Sequence, residues 1–215
     1  GHWSLVVDPD ELFVYPFCDT RPIRALTDWL DLSEMRSFGA MLLDMYPKGR
    51  LDAVTYTSGQ NPLEIASWFD PGNYMIGKNH QYGNLWIQGG PRARAFFQDA
   101  PQNAPALNKI PLVKWDKRFA YVSSTHMILP RGLNRVYEEW GGEKASGVLL
   151  HAKFLDGFKA KSAEELERRQ HYAASHEYRA YQANMRDKSD LWCQWSERYI
   201  NWRQLEILGL MSTGN

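Results

Sequence analysis

The residues best suited to chemistry open the chain. Trp3-Ser4-Leu5-Val6-Val7 runs directly into Asp8-Pro9-Asp10-Glu11, and Leu12-Phe13-Val14-Tyr15 is apolar again. Ligands of open α/β sheets bind beyond the carboxyl ends of the strands. Hard divalent cations that handle phosphate take oxygen ligands, usually one or two carboxylates with substrate phosphate and water. The spacing points to a metal clamp for a diphosphate: one or two of Asp8, Asp10 and Glu11 hold Mg²⁺ or Mn²⁺, and another bonds a ribose or sugar hydroxyl. The competing reading is a solvated turn in which Asp8 or Asp10 bonds its own backbone. The apolar segments on both sides favour the clamp.

Further groups carry possible chemistry. In Gln88-Gly89-Gly90-Pro91-Arg92-Ala93-Arg94, paired glycines allow a backbone to approach a ligand closely. With residues 93–97 read as a strand, Arg92 and Arg94 point the same way and form a fork for phosphate or carboxylate. The alternative is a Gly-Gly hairpin with two solvated arginines. In Leu149-Leu150-His151-Ala152-Lys153-Phe154 a histidine closes an apolar strand, with Lys153 on the same face. A neutral imidazole can complete a site begun by carboxylates, and the lysine can neutralise phosphate. A satisfied core histidine is the alternative, and His126 is a rival on the neighbouring run. Lys109 either reaches a phosphate or merely flanks its strand. The segment from Arg198 to Arg203 reads as helix packing or acceptor contact.

These residues need elements to position them. The pattern predicts a strand over 3–7 and a helix over 22–30, with Thr20 as N-cap and Pro22 in its first turn. A second buried strand over 37–43 ends at Asp44. A Pro- and Gly-rich stretch follows, containing a short helix from Asn61-Pro62-Leu63-Glu64 to Phe69. Strand-like runs return at 85–88, 93–97, 110–115, 120–129 and 147–154. A capping box at Ser162-Ala163-Glu164-Glu165 starts a helix to Tyr172. Helical segments over 175–186 and 196–208 follow, stopped by Gly209. The expectation is an α/β core over 1–161, a mixed sheet, with a helical C-terminal extension over 162–215 packed on it. The opening strand, apolar throughout, is expected to be central and covered on both faces. Because the chain starts Gly1-His2 on that strand, it is expected to be the C-terminal part of a longer protein, or a processed chain.

Composition narrows the classes. Lys plus Arg and Asp plus Glu each number 25, a formal net charge of zero, so the basic excess of a nucleic-acid binder is missing. No run is long and apolar enough to span a bilayer. Cys18 and Cys193 have no metal or redox spacing and read as free thiols of a reducing compartment. The 9 Trp, 11 Tyr and 9 Phe suit stacking on sugars, although most such rings belong to cores.

Taken in order, Val7-Asp8-Pro9-Asp10-Glu11, Gly89-Gly90-Pro91-Arg92-Ala93-Arg94, Asn108-Lys109-Ile110-Pro111-Leu112, Ser124-Thr125-His126 and Leu150-His151-Ala152-Lys153-Phe154 resemble bacterial glycosyltransferases of the family 2 type, through essentially the whole chain. The resemblance implies a GT-A-like mixed sheet, of which this chain is the C-terminal portion. It implies a nucleotide-sugar donor, a glycan or lipid-linked acceptor and a Mn²⁺ or Mg²⁺ cofactor. Asp8 and Asp10 would hold the metal on the donor diphosphate with Glu11 adjacent, and His151 would assist. Arg92, Arg94, Lys109 and Lys153 would contact the donor. Inversion calls for a carboxylate base, for which Asp44, Glu138 and Glu139 are the candidates. The N-terminal half that binds the nucleotide base in such enzymes would precede this chain. The expected location is cytoplasmic, as a peripheral rather than membrane-spanning protein that does not bind nucleic acid. Two alternatives stand beside this reading: a carboxylate-pair glycoside hydrolase, with Asp44 or Glu139 as the distant partner, and a non-catalytic carbohydrate-binding module.

Overall fold

The computed structural model describes residues 1–135, 143–155 and 190–214. In chain order its elements are β1 (Trp3–Leu5), β2 (Glu11–Val14), α1 (Ile23–Leu32), β3 (Ser37–Asp44), α2 (Pro62–Ile65), β4 (Trp68–Phe69), β5 (Tyr74–Asn79), β6 (Asn84–Gly89), α3 (Gly90–Phe96), β7 (Asn108–Lys114), β8 (Ala120–Val122), β9 (Met127–Leu129), β10 (Gly147–His151), β11 (Glu197–Arg198) and α4 (Trp202–Ile207), with short 3₁₀ turns between some of them. The fold is mixed α/β.

Five strands form the main sheet in the order β1-β7-β3-β10-β2. The apolar run ending at Asp44 and the one ending at His151 become the neighbouring strands β3 and β10. They run parallel, with Leu149 opposite Leu42 and His151 opposite Asp44. β7 and β2 flank them antiparallel, and β1 lies beyond β7. The two residues that end the parallel pair are therefore brought level at one end of the sheet.

β1 is an edge strand rather than a central one, and Leu5, Val6 and Val7 are partly exposed. Its apolar character covers one sheet face and does not require two. This placement has a geometric result. β1 and β2 occupy opposite edges of the sheet, yet only residues 6–10 join them. A flat five-stranded sheet is about 19 Å wide between its outer strands. The six steps from Leu5 to Glu11 span at most about 22 Å when fully extended, and a turn in which Glu11 N donates to Asp8 O shortens them. The sheet accordingly curls, and the acidic connection passes over its end.

Apolar side chains cover both faces. Leu26 and Leu30 of α1 pack with Phe38, Leu112 and Tyr15. Leu43, Leu149, Phe69, Trp202, Leu205 and Met211 belong to the other main cluster. The segment 190–214 thus joins the same core, reinforced by pairing of β11 with β4 and a bridge between Ser146 and Ser212.

Several local expectations change. α1 starts after Pro22, without a side-chain cap, and the Thr20 hydroxyl instead donates to Phe17 O. The helix at Pro62 is capped by Asn61 as expected, but it stops at Ile65 and the chain extends into β4. Residues 93–97 lie mostly in α3 rather than in a strand, and residues 120–129 fold as a β8–β9 hairpin around a 3₁₀ turn. The helix expected over 196–208 is preceded by β11 and begins only at Trp202, because the Asn201 side chain caps it by accepting from Arg203 N and Gln204 N. Gly209, with φ of 71°, ends it. The helices expected over 162–172 and 175–186 lie outside the described residues. No helix among the described residues is long and apolar enough to cross a membrane.

Candidate functional site

The site lies where β3 and β10 end and the acidic connection crosses them. His151 Nδ1 is 2.8 Å from Asp44 Oδ1, and its Nε2 is 3.5 Å from Asp10 Oδ2. Ala152 N donates to Asp10 O at 2.8 Å, which ties the connection to the residue after His151. Asp44 is buried, with 1% of its side chain exposed, and its other oxygen accepts from Arg92 Nε at 2.6 Å. Arg92 of α3, Asp44 of β3, His151 of β10 and Asp10 form one continuous line of polar contacts.

A second group holds the same connection from the β7 side. Lys109 Nζ is 3.1 Å from Glu11 Oε1 and 3.3 Å from Asp8 Oδ2. Glu11 also accepts from Asp8 N at 3.0 Å. Lys109 and Glu11 are both buried. Their pairing fits the rule that buried charges persist when partnered. Glu11 therefore fixes the loop. Asp8 and Asp10 remain the more exposed carboxylates, with side chains 58% and 40% accessible.

The electrostatics follow from this geometry. The hydrogen bond from His151 holds the Asp10 carboxyl down at about 2 against the opposing effect of burial. Burial alone would lower the His151 value, but Asp10 and Asp44 on its two nitrogens outweigh it and raise it. Asp44 is likewise penalised by burial, yet Arg92 and His151 keep it below the ordinary carboxylate range. Lys153 lies half-buried two residues past His151 and adds positive field at Asp10.

The sequence-predicted residues divide accordingly. Asp8, Asp10, Glu11, Asp44, Arg92, Lys109 and His151 converge, with Lys153 beside them. Arg94 does not join Arg92. Both stand on a helix, where residues two apart point about 200° from each other, so they make no fork. Arg94 Nε is 2.8 Å from Asp70 Oδ2 instead. Gly89 and Gly90 also serve the chain itself rather than a ligand. Their φ values are 143° and 64°, and a Cβ at Gly89 would stand 2.3 Å from Asn73 O. They let β6 turn into α3 against Asn73 and Tyr74. Glu138 and Glu139 lie outside the described residues.

His126 lies within electrostatic reach of Lys109, Arg92 and Asp8. Its Nδ1 donates to Asn108 O at 2.7 Å. Burial, aided by the charge of Lys109, lowers it to about 4, so it is neutral at pH 7. Cys18 and Cys193 are free thiols.

Sequence reasoning missed Asp70. It is buried, and it joins Arg94 to the Tyr46 hydroxyl, which also lies 2.9 Å from Ser196 Oγ. Its signal was present: Trp68-Phe69-Asp70 is an apolar pair closed by a carboxylate, the pattern that marks Asp44.

Among the described residues no group of three or more His, Cys, Asp or Glu forms a cation cage. The fit to a substrate-borne cation is better. Asp10 Oδ2 and His151 Nε2 bring one oxygen and one nitrogen within 3.5 Å of each other. A cation carried on phosphate needs only one or two protein carboxylates. A ligating histidine commonly donates its second ring N–H to a carboxylate, which is the relation of His151 to Asp44. Compared with family models, with curated proteins and with solved structures, the chain finds no match.

Proposed function

We propose that this chain carries the metal and diphosphate end of a glycosyltransferase. It would move a sugar from a nucleotide-sugar donor to a hydroxyl of a glycan or lipid-linked acceptor, with Mn²⁺ or Mg²⁺ as cofactor and inversion at the sugar carbon. The observation that carries the reading is the line Asp10–His151–Asp44, a candidate ligand pair whose imidazole is locked by a buried carboxylate.

In this reading Asp10 and His151 Nε2 hold the cation, with Asp8 beside them. The bound cation supplies electrostatic stabilisation of the departing diphosphate. Asp44 fixes the ring so that Nε2 faces outward, and Arg92 keeps Asp44 ionised. Lys109 holds the loop through Glu11 and Asp8. Lys153 adds positive field at Asp10. Asp44 is a positioning residue rather than the base, since both its oxygens are engaged. The proton of the acceptor hydroxyl falls to a different carboxylate.

The test is calorimetric titration of Mn²⁺, then of uridine diphosphate in its presence, into the wild type, Asp10→Asn and His151→Gln. The expected result is metal-dependent diphosphate binding that each substitution weakens about tenfold or more. Equal binding by all three proteins, or diphosphate binding that ignores the metal, defeats the proposal.

A further inference from the structure

The β5–β6 hairpin closes a cavity of about 260 Å³ against the sheet, with a wall that includes Met41, Tyr74, Ile76, Ile87 and Leu210. Asn84, the first residue of β6, is part of this wall. It is 2% exposed, and neither its Oδ1 nor its Nδ2 has a hydrogen-bond partner.

Two other asparagines on the same wall set the contrast. Asn108 accepts from Ile87 N and donates to His126 O. Asn134 accepts from Ile128 N and donates to Tyr82 O and Ile128 O. Those amides hold the chain together, whereas the Asn84 amide holds nothing. A buried amide without a partner keeps its full desolvation cost, so such a group calls for an explanation. One water takes up about 30 Å³, so a single structural water would leave most of the cavity unused.

We infer that this cavity is a binding site for a neutral sugar ring. Adjacent hydroxyls of a sugar offer a donor and an acceptor side by side, which matches the two unused atoms of Asn84. The C–H face of the ring suits the apolar wall and the Tyr74 ring. Charge in the wall argues against anions: Lys109 is already paired with Asp8 and Glu11, and Glu143 adds a carboxylate that accepts from hydroxyls and repels phosphate. Both amide atoms are sealed from solvent in this structure, so binding requires the β5–β6 hairpin to move aside as the ring enters. The hairpin is joined to β7 and the residue before it by Leu107 N donating to Ile87 O and by the Asn108 contact to Ile87 N. The site meets β3 at residues 39–41, at least three residues before Asp44, or about 10 Å along the strand. It requires neither metal nor nucleotide.

The experiment is saturation-transfer NMR on the metal-free protein with the neutral methyl glycosides of glucose, galactose, mannose and N-acetylglucosamine, each at about 10 mM, a range that reports millimolar affinities. Uridine and adenosine are run in parallel. The expected result is transfer to at least one glycoside, weakened about tenfold in Asn84→Leu, a loss equivalent to about 1.4 kcal/mol. Asn84→Leu removes an unpaired amide and is expected to fold. Ile76→Arg, at a position 62% exposed on the cavity wall, is the second variant and is expected to block the same binding. The inference is overturned if no glycoside binds the wild type, if both variants bind as the wild type does, or if only a nucleoside binds. Because metal and nucleotide diphosphate are absent, these outcomes leave the transferase reading untouched.

Discussion

Asp44 is held from two sides in a space that admits almost no water: Arg92 Nε is 2.6 Å from one of its oxygens and His151 Nδ1 is 2.8 Å from the other. Both contacts come from elements distant in sequence, so this carboxylate joins α3, β3 and β10. Removing one partner of such a buried pair is strongly destabilising.

Asp44→Ala is therefore expected to cost about 3–5 kcal/mol of stability. Asp44→Ala combined with Arg92→Leu is expected to recover part of that loss, since the pair is then removed as a unit. Urea denaturation of the four proteins of the cycle decides it. Additive effects would show that the two residues are not coupled.

His126 gives a pH signature. Its value is lowered to about 4 from 6.5 by burial and the nearby Lys109. The unfolded chain takes up this proton as pH falls through 6.5, and the folded chain only near 4. The contribution to stability is thus complete above pH 6.5 and drains as pH falls toward 4. Between pH 7 and pH 4 the stability advantage of wild type over His126→Asn should shrink by about 2–3 kcal/mol. A constant difference across that window would rule this account out.

Gly89 and Gly49 separate steric from conformational strain. Both have positive φ, but a Cβ at Gly89 meets Asn73 O at 2.3 Å while one at Gly49 meets nothing within 4 Å. Gly89→Ala is expected to cost more than about 3 kcal/mol and Gly49→Ala about 1 kcal/mol. Thermal melts of the two variants test the order, and equal costs would contradict it.

Tyr46 is the buried link between Asp70 and Ser196, and burial together with Asp70 raises its hydroxyl well above the usual phenol range. Tyr46→Phe is expected to cost about 1–3 kcal/mol by leaving the Asp70 carboxylate short of a donor. Tyr56→Phe, whose hydroxyl makes one half-buried contact to Gln60 O, should stay within about 0.5 kcal/mol. Chemical denaturation compares them, and similar values at both positions would refute the assignment.

The sheet was largely legible in the sequence because its central strands are apolar runs closed by a polar residue: residues 37–43 before Asp44, and 147–150 before His151. Their adjacency was not legible, since strand order depends on non-local pairing. Arg92 and Arg94 misled because Gly89-Gly90-Pro91 fits a hairpin and a helix start equally well. Pro91 at the first turn of α3 resolves it only once the buried face of Ala93 and Phe96 is seen. β1 misled because an edge strand with one covered face can be as apolar as a central one. The acid cluster was legible as a set of residue types, but Lys109 turning to Glu11 depended on the curl of the sheet.

That curl has a mechanical consequence. Residues 6–10 act as a bowstring across an arch whose two ends are β1 and β2. The same short string carries Asp8 and Asp10 to Lys109 and His151. The curl of the sheet and the placing of these charged groups are therefore set by one length of chain.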